Sequence, residues 1–428
     1  MKALLTPLMC TLLAASVAAA SLAAQERPDT EKRVAELERK LQILSQELEA
    51  QKTNSTGGSA PADIQKGMAP AASKVYESKG GLSIGGYGEL VYQSFENHLQ
   101  DGTKGVGGKT VDALRFVLYT GYKFNDRIVF NSEFEWEHGG YSDESPEGEA
   151  IVEFAYLDFL FTKALNLRAG MLLVPMGFIN ELHEPPVFLG VRRPLVESGG
   201  GIIPTTWNEN GIGLHGELPG NFTYRVYLMN GLNGAKFTGQ GIAGGKQRGK
   251  QANAQSLAWT GRLDWTPMPG TLIGGSFYTG NSNQTGLGET FRTTVVEFHS
   301  EYRAEGLQLR GLYARTSNAA PYLATLGLSD PARETGTRQW GGYLEAGYDL
   351  LRGGRQALIP FLRWERLNTQ AEVIPTVVKD LATNQNLLTA GVNYKPIPNV
   401  AVKADYQRLE NQARTGRNQW NLGLGFYF

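Results

Sequence analysis

The last residues, 418–428, read NQWNLGLGFYF. Trp420, Leu422, Leu424, Phe426 and Phe428 occupy alternate positions, and Gln419, Asn421, Gly423, Gly425 and Tyr427 fill the gaps. A period of two is the signature of a β-strand whose faces meet different media, here one apolar and one wet. A soluble edge strand could carry the same alternation, so the rest of the chain has to decide. If the apolar face meets lipid, the choice is narrow. Hydrocarbon offers no partner for a free N–H or C=O, so such a strand must belong to a closed barrel.

From Gly81 onward about sixteen segments show this alternation: 82–95, 112–124, 127–138, 150–161, 166–174, 208–218, 222–230, 256–266, 271–280, 291–303, 307–316, 338–350, 356–366, 386–395, 400–409 and 418–428. Short connections with turn chemistry join alternate pairs: Asn125-Asp126, Pro219-Gly220-Asn221, Pro267-Met268-Pro269-Gly270, Arg352-Gly353-Gly354 and Pro396-Ile397-Pro398-Asn399. The intervening connections, such as 231–255, 317–337 and 367–385, are longer and polar or glycine-rich. Short turns on one rim and long loops on the other predict an all-β transmembrane barrel of about sixteen antiparallel strands over 81–428. A soluble array of β-sandwiches would not be expected to alternate its loop lengths so regularly. An even strand number also leaves both ends of the barrel on the periplasmic side.

Ahead of the barrel, residues 1–24 read as a signal peptide: Lys2, an apolar stretch Ala3–Ala20, then Ser21-Leu22-Ala23-Ala24 for cleavage. The single cysteine, Cys10, falls in this leader, and its Thr-Pro-Leu-Met neighbours do not fit a lipoprotein site. The mature chain is therefore expected to lack thiols, which excludes disulfides and thiol catalysis. Segment 25–52 carries Val34, Leu37, Leu41, Leu44 and Leu48 at 3-4-3-4 spacing, predicting a coiled-coil helix. Alone in water about three heptads are marginal, so association of copies is expected. Residues 53–80, rich in Gly, Ala, Ser and Pro, read as a flexible linker. A net charge of −1 gives no reason to expect nucleic acid as a partner. Mean hydropathy is slightly negative at −0.29, as suits strands with one wet face.

Phasing each strand by its apolar set assigns the other set to the lumen. On 112–124, Leu114, Phe116, Leu118 and Tyr122 are expected to face lipid, with Arg115, Tyr119 and Lys123 inside. On 127–138, Arg127, Asn131, Glu133, Glu135 and Glu137 are expected inside. Arg168, Arg225, Arg262, Asp264, Arg310, Glu345, Asp349, Arg363, Glu365, Lys403 and Asp405 follow by the same logic. Facing lipid near the midplane, Arg or Lys would cost about 2–4 kcal/mol. Collectively these charges argue for an aqueous interior; individually, many are expected to be paired wall charges.

The longest interruption, 175–207, is unusually apolar for a surface loop, with Phe178, Ile179, Phe188, Leu189, Val191, Ile202 and Ile203. It is expected to fold against the barrel wall and narrow the channel. Its charged residues Glu181, His183, Glu184, Arg192, Arg193 and Glu197 are the candidates for the constriction. His183 with Glu181 and Glu184 could suggest a metal site, but alternating loop carboxylates are more often solvated, so no metal or other cofactor is expected. No Ser-His pairing stands out, and enzymatic activity is not expected.

The segments GGYGEL (85–90), RFVLYTGYKFNDRI (115–128), GMLLVPMGFINELHEPPVF (170–188) and IIPTTWNENGIGLHGEL (202–218) resemble the phosphate-selective porin O and P family. The resemblance spans about 81–428. It implies a sixteen-stranded trimeric porin of the bacterial outer membrane, with its N-terminal segment in the periplasm and its third long loop narrowing the pore. A terminal aromatic such as Phe428 is read by the barrel-assembly machinery in barrels of this kind. Phosphate-selective members line the pore with a dense arginine ladder. Here the loop offers only Arg192 and Arg193, while the wall mixes Arg with Glu and Asp, so phosphate selectivity does not carry over. The expected function is passive diffusion of small hydrophilic solutes, anionic (phosphate, carboxylates) or neutral. A structural tether or adhesin anchored by the barrel, or a barrel enzyme, is the alternative.

Overall fold

The computed structural model describes residues 33, 36, 37, 39, 40, 66–140, 148–286, 290–319, 335–352 and 354–428. The chain divides into two compact units, Met1–Ser55 and Thr56–Phe428. In the first, the five described residues are helical and exposed, with Glu36 and Lys40 paired at 2.8 Å. The expected signal peptide, most of the expected coiled coil, and residues 53–65 lie outside the described residues.

The second unit is a closed antiparallel barrel of sixteen strands. In order they are β1 Gly81–Phe95, β2 Lys109–Asn125, β3 Ile128–Glu137, β4 Glu149–Leu160, β5 Asn166–Leu173, β6 Asn208–Leu218, β7 Phe222–Asn230, β8 Leu257–Trp265, β9 Thr271–Asn281, β10 Arg292–Ala304, β11 Leu307–Asn318, β12 Arg338–Tyr348, β13 Ala357–Glu372, β14 Asn384–Ile397, β15 Val400–Asn411 and β16 Gln419–Tyr427. Each pairs with its sequence neighbours, and β1 closes on β16 with Tyr87 opposite Tyr427. The alternating loop lengths hold. Even-numbered strands end in the shorter connections, as between β2 and β3, where Asn125 Oδ1 accepts from Arg127 N and Ile128 N. The outward face is apolar and exposed, from Leu82 to Phe298 and Leu344. Aromatics gather toward both rims, with Trp265 stacked on Phe222 at one and Trp136, Trp259 and Trp420 near the other.

Four sequence expectations are corrected. Leu114 does not face lipid: the β1–β2 register shifts between Glu89 and Val91, and Leu114 turns inward to pack with Val91 and Val191. Arg127 is not on the pore wall; it sits exposed in the β2–β3 turn at the rim. Residues 66–80 are not a flexible linker. They enter the barrel, form a short helix α1 (Lys74–Glu77) and bury Met68, Ala69, Ala71, Ala72 and Val75. This close approach depends on glycine in the wall: a Cβ at Gly85 would stand 2.9 Å from the Ala71 carbonyl oxygen, and one at Gly121 2.6 Å from Val75 Cγ2. Finally, the connection after β7 is not only polar or glycine-rich: Leu232, Phe237 and Ile242 join the interior cluster.

That cluster is the core of the molecule. It joins Met68 and Ala72 of the entering segment, Tyr87, Tyr119 and Phe154 of the wall, and Met176, Phe178, Ile203 and Trp207 of the long loop. The barrel therefore encloses a packed apolar cluster built from the wall, the long loop and the entering segment.

Candidate functional site

Residues 174–207 leave β5 and fold into the barrel rather than over it. The loop's apolar content is what allows this: Val174, Met176, Phe178, Ile179, Phe188, Val196, Ile202, Ile203 and Trp207 are all buried. Its backbone polar groups then need partners inside the barrel. The inward wall charges provide them. Lys403 Nζ donates to the carbonyls of Pro185 (2.6 Å), Phe188 (2.8 Å) and Gly190 (2.8 Å). Asp405 accepts from Val191 N at 2.6 Å, and Glu365 accepts from Leu195 N at 2.5 Å. Arg262 donates to the Gly177 carbonyl. Glu197 works from within the loop, accepting from Phe178 N (2.6 Å), Ile179 N (2.9 Å) and Tyr343 OH (2.7 Å).

The expected wall cations separate into groups by their partners. Arg115 lies within 3.1 Å of Glu89, Glu135 and Glu137 carboxylate oxygens. Arg168 grips Asp158 with two 2.8 Å bonds. Arg225 and Arg262 share Asp264 and lie 3.3 and 3.7 Å from Glu181. Arg310 pairs with Glu301, and Arg363 with Glu345 and Glu365. Lys123 donates to the Ser78 carbonyl and pairs with Asp126. Lysine and arginine are thus interleaved with carboxylates, and most of these side chains are buried.

Arg192 and Arg193 differ. Both are partly exposed on the inner side of the loop, and among the described residues neither has a carboxylate oxygen within 4.0 Å. Arg192 touches Gln93 Oε1 at 3.4 Å, and Arg193 touches the His183 carbonyl at 3.4 Å. Each keeps guanidinium donors uncommitted.

The acidic members of the loop are buried structural groups. Glu181 sits between Arg225 and Arg262. Glu184 Oε1 accepts from Ala71 N (2.9 Å) and Ala72 N (3.2 Å), fastening the entering segment to the loop. Burial pushes its carboxyl up to about 8, outweighing those two bonds. The same segment is held at Tyr76, whose hydroxyl donates to Asp158 at 2.5 Å, and at Ala72, whose carbonyl accepts from Asn131 at 2.8 Å. His183 does not meet Glu181 and Glu184 as a set. Its Nδ1 is 3.1 Å from the Asn180 carbonyl, and its Nε2 faces Glu133 Oε1 at 3.0 Å and Glu153 Oε2 at 3.7 Å. Sequence reasoning placed Glu133 inside but gave no signal for Glu153. Glu153 lies at the irregularity where Glu133 opposes Phe154 and Phe134 opposes Val152.

No family model matches the chain. An uncharacterized protein of Aquifex aeolicus is 38% identical over 378 residues, covering 85% of this chain and 83% of that protein. Among solved structures, Salmonella typhi OmpF in complex with daunomycin aligns with a TM-score of 0.55 at 13% identity, over 83% of this chain and 99% of that one. The anion-selective porin from Comamonas acidovorans aligns with a TM-score of 0.52 at 11% identity, over 81% and 99%. The outer membrane channel DcaP of Acinetobacter baumannii gives 0.50 at 9% identity, over 81% and 97%. At such identities the likeness is one of fold: a bacterial outer-membrane porin barrel.

Proposed function

The chain belongs to the same family as the Aquifex aeolicus protein, and from its porin barrel we propose a passive outer-membrane channel for small hydrophilic solutes that prefers anions. The supporting observation is the contrast between the wall and the loop. The inward wall arginines Arg115, Arg168, Arg225, Arg262, Arg310 and Arg363 each pair with a carboxylate, whereas among the described residues Arg192 and Arg193 on the loop have none within 4.0 Å. A charge acts on a permeating ion most strongly where water is scarce. Two charges about 4 Å apart interact by about 1 kcal/mol in bulk water and about 4 kcal/mol at an effective dielectric of 20. Arginine also offers phosphate and carboxylate a forked pair of donors. Among the described residues the wall mixes arginine with Glu and Asp rather than forming a dense arginine ladder, so the preference is for small anions broadly, phosphate and carboxylates included. The working form is a homotrimer in the bacterial outer membrane with the N-terminal segment in the periplasm.

Reversal potential across a salt gradient tests this. Replacing Arg192 and Arg193 together with Ala should move it toward cations and weaken block by phosphate or dicarboxylates. The double Lys variant should keep most of the preference and lose part of the block. An unchanged reversal potential in a folded double Ala variant would refute the assignment. A second reading, a barrel serving as an anchor, draws support from the amount of chain packed inside it. Electrically silent bilayers containing folded protein would favour that reading.

A further inference from the structure

His183, Glu133 and Glu153 meet in a buried pocket where the loop crosses β3 and β4. Their ligand-type atoms all lie within 4.8 Å of one another, and the three residues are at most 1% exposed. The grouping has two unmet needs. Glu133 Oε2 and Glu153 Oε2 are buried with no hydrogen-bond partner among the described residues, and Glu153 Oε2 is the atom that faces the imidazole. Neither carboxylate has a Lys or Arg nitrogen within 4.0 Å among the described residues. Arg115 is occupied by Glu89, Glu135 and Glu137, and Arg193 acts on them only from farther away. Buried carboxylates are costly unless a cation or hydrogen-bond donors compensate them.

The imidazole points the same way. With its proton on Nδ1, donated to the Asn180 carbonyl at 3.1 Å, it presents the Nε2 lone pair to two carboxylate oxygens. A cation at their centre removes that repulsion. A histidine held through its other nitrogen by a backbone carbonyl is the usual arrangement of a metal ligand. The spacing also fits. Donors bound at about 2.1 Å with tetrahedral angles stand about 3.4 Å apart, and here Nε2 is 3.0 and 3.7 Å from the two oxygens.

We propose that Glu133, Glu153 and His183 bind a first-row divalent cation of the Zn2+ type, which ties the constriction loop to the barrel wall. One imidazole and two carboxylates suit such an ion. With all three ligands buried, the ion enters as the barrel folds. Its role is structural: His183 comes from the loop, and the two glutamates come from adjacent strands.

The test uses full-length, tag-free chain refolded with Zn2+, stripped of loose metal by gel filtration and analysed for metal per chain. Wild type should retain about one Zn2+, and Glu153→Gln and His183→Gln should lose most of it. His138→Ala, which removes the exposed His138–Asp112 pair, should retain it. Refolding in EDTA should lower the heat stability of wild type and leave Glu153→Gln unaffected. Wild type without metal, or variants holding as much as wild type, would overturn the proposal. If the variants fail to fold, Co2+-loaded wild type decides: a tetrahedral visible spectrum supports the site, and a purely hexaaqua spectrum refutes it. A proton shared between Glu133 and His183 would give the metal-free result.

Discussion

Lys403→Met should release the middle of the constriction loop while leaving the barrel standing. Lys403 gives each of its three ammonium protons to a loop carbonyl, at Pro185, Phe188 and Gly190, and its nitrogen lies 3.9 Å from the centre of the Phe188 ring. Methionine keeps the unbranched stem but removes both the ammonium over that ring and the donor to the carbonyls. Asn393 still reaches Phe188 and Leu189, so only part of the anchoring is lost. Hydrogen bonds to a charged group contribute about 1.5–3 kcal/mol each and are not additive. A loss near 3–4 kcal/mol for the three together raises the population of a detached loop by about 100- to 1,000-fold. The barrel's strand pairing does not depend on these bonds, so heat-modifiable migration should persist. Limited proteolysis within 185–195 should accelerate, and bilayer currents should show frequent transitions to a larger conductance. Unchanged cleavage and quiet currents in a folded variant would mean that burial alone holds the loop, refuting the role given to Lys403.

Arg168→Met strands Asp158 in the interior beside His215, and removing one partner of a buried pair costs about 3–5 kcal/mol; a lower urea midpoint checks this, and Asp158→Asn in the same chain should recover much of it. Tyr76→Phe loses the bonds to Asp158 and Tyr156 and should loosen the entering segment by about 1–2 kcal/mol, seen as faster cleavage near residue 70. Phe428 pairs with Gly86 through its backbone while the residue is 44% exposed, so Phe428→Asp should reduce outer-membrane yield far more than the heat stability of what is inserted. Deleting 26–52 should lower the temperature at which the oligomer dissociates on a semi-native gel, and an unchanged temperature would assign the heptads another role.

The strands were legible because burial on one face imposes a period of two, and turn residues mark the breaks. Most edges fall within three residues of the pattern; β13 continues to Glu372, past a register shift against β12 to the single pair Arg338–Glu372, in a polar stretch where no apolar alternation remains. Leu114 defeats the pattern because alternation assumes an unbroken register and a bulge breaks it. The inward phase of Lys403 and Asp405 was legible, but their partners were not, since Val191 lies 214 residues from Asp405. Sequence proximity links His183 to Glu181 and Glu184. Space instead gives it Glu133 and Glu153, which no local pattern links to it. The burial within 67–75 leaves little signal because small residues such as Ala71 and Ala72 read as linker. What seats them is the absence of side chains in the wall, at Gly85 beside Ala71 and at Gly121 beside Val75.

The constriction loop's anchoring also sets an order of events. Strand pairs are local and can form hairpin by hairpin as the chain emerges, but the groups that receive 185–191 lie on β14 and β15, with the closing strand β16 packed alongside. Until those strands arrive, Phe188, Leu189 and Val191 have no place to be buried. Contacts spanning so much of the chain are late ones, because the intervening loop must close before they return any free energy. The unfinished barrel therefore carries an undocked apolar segment, which finds its seat only once β14 and β15 stand beside the closing strand.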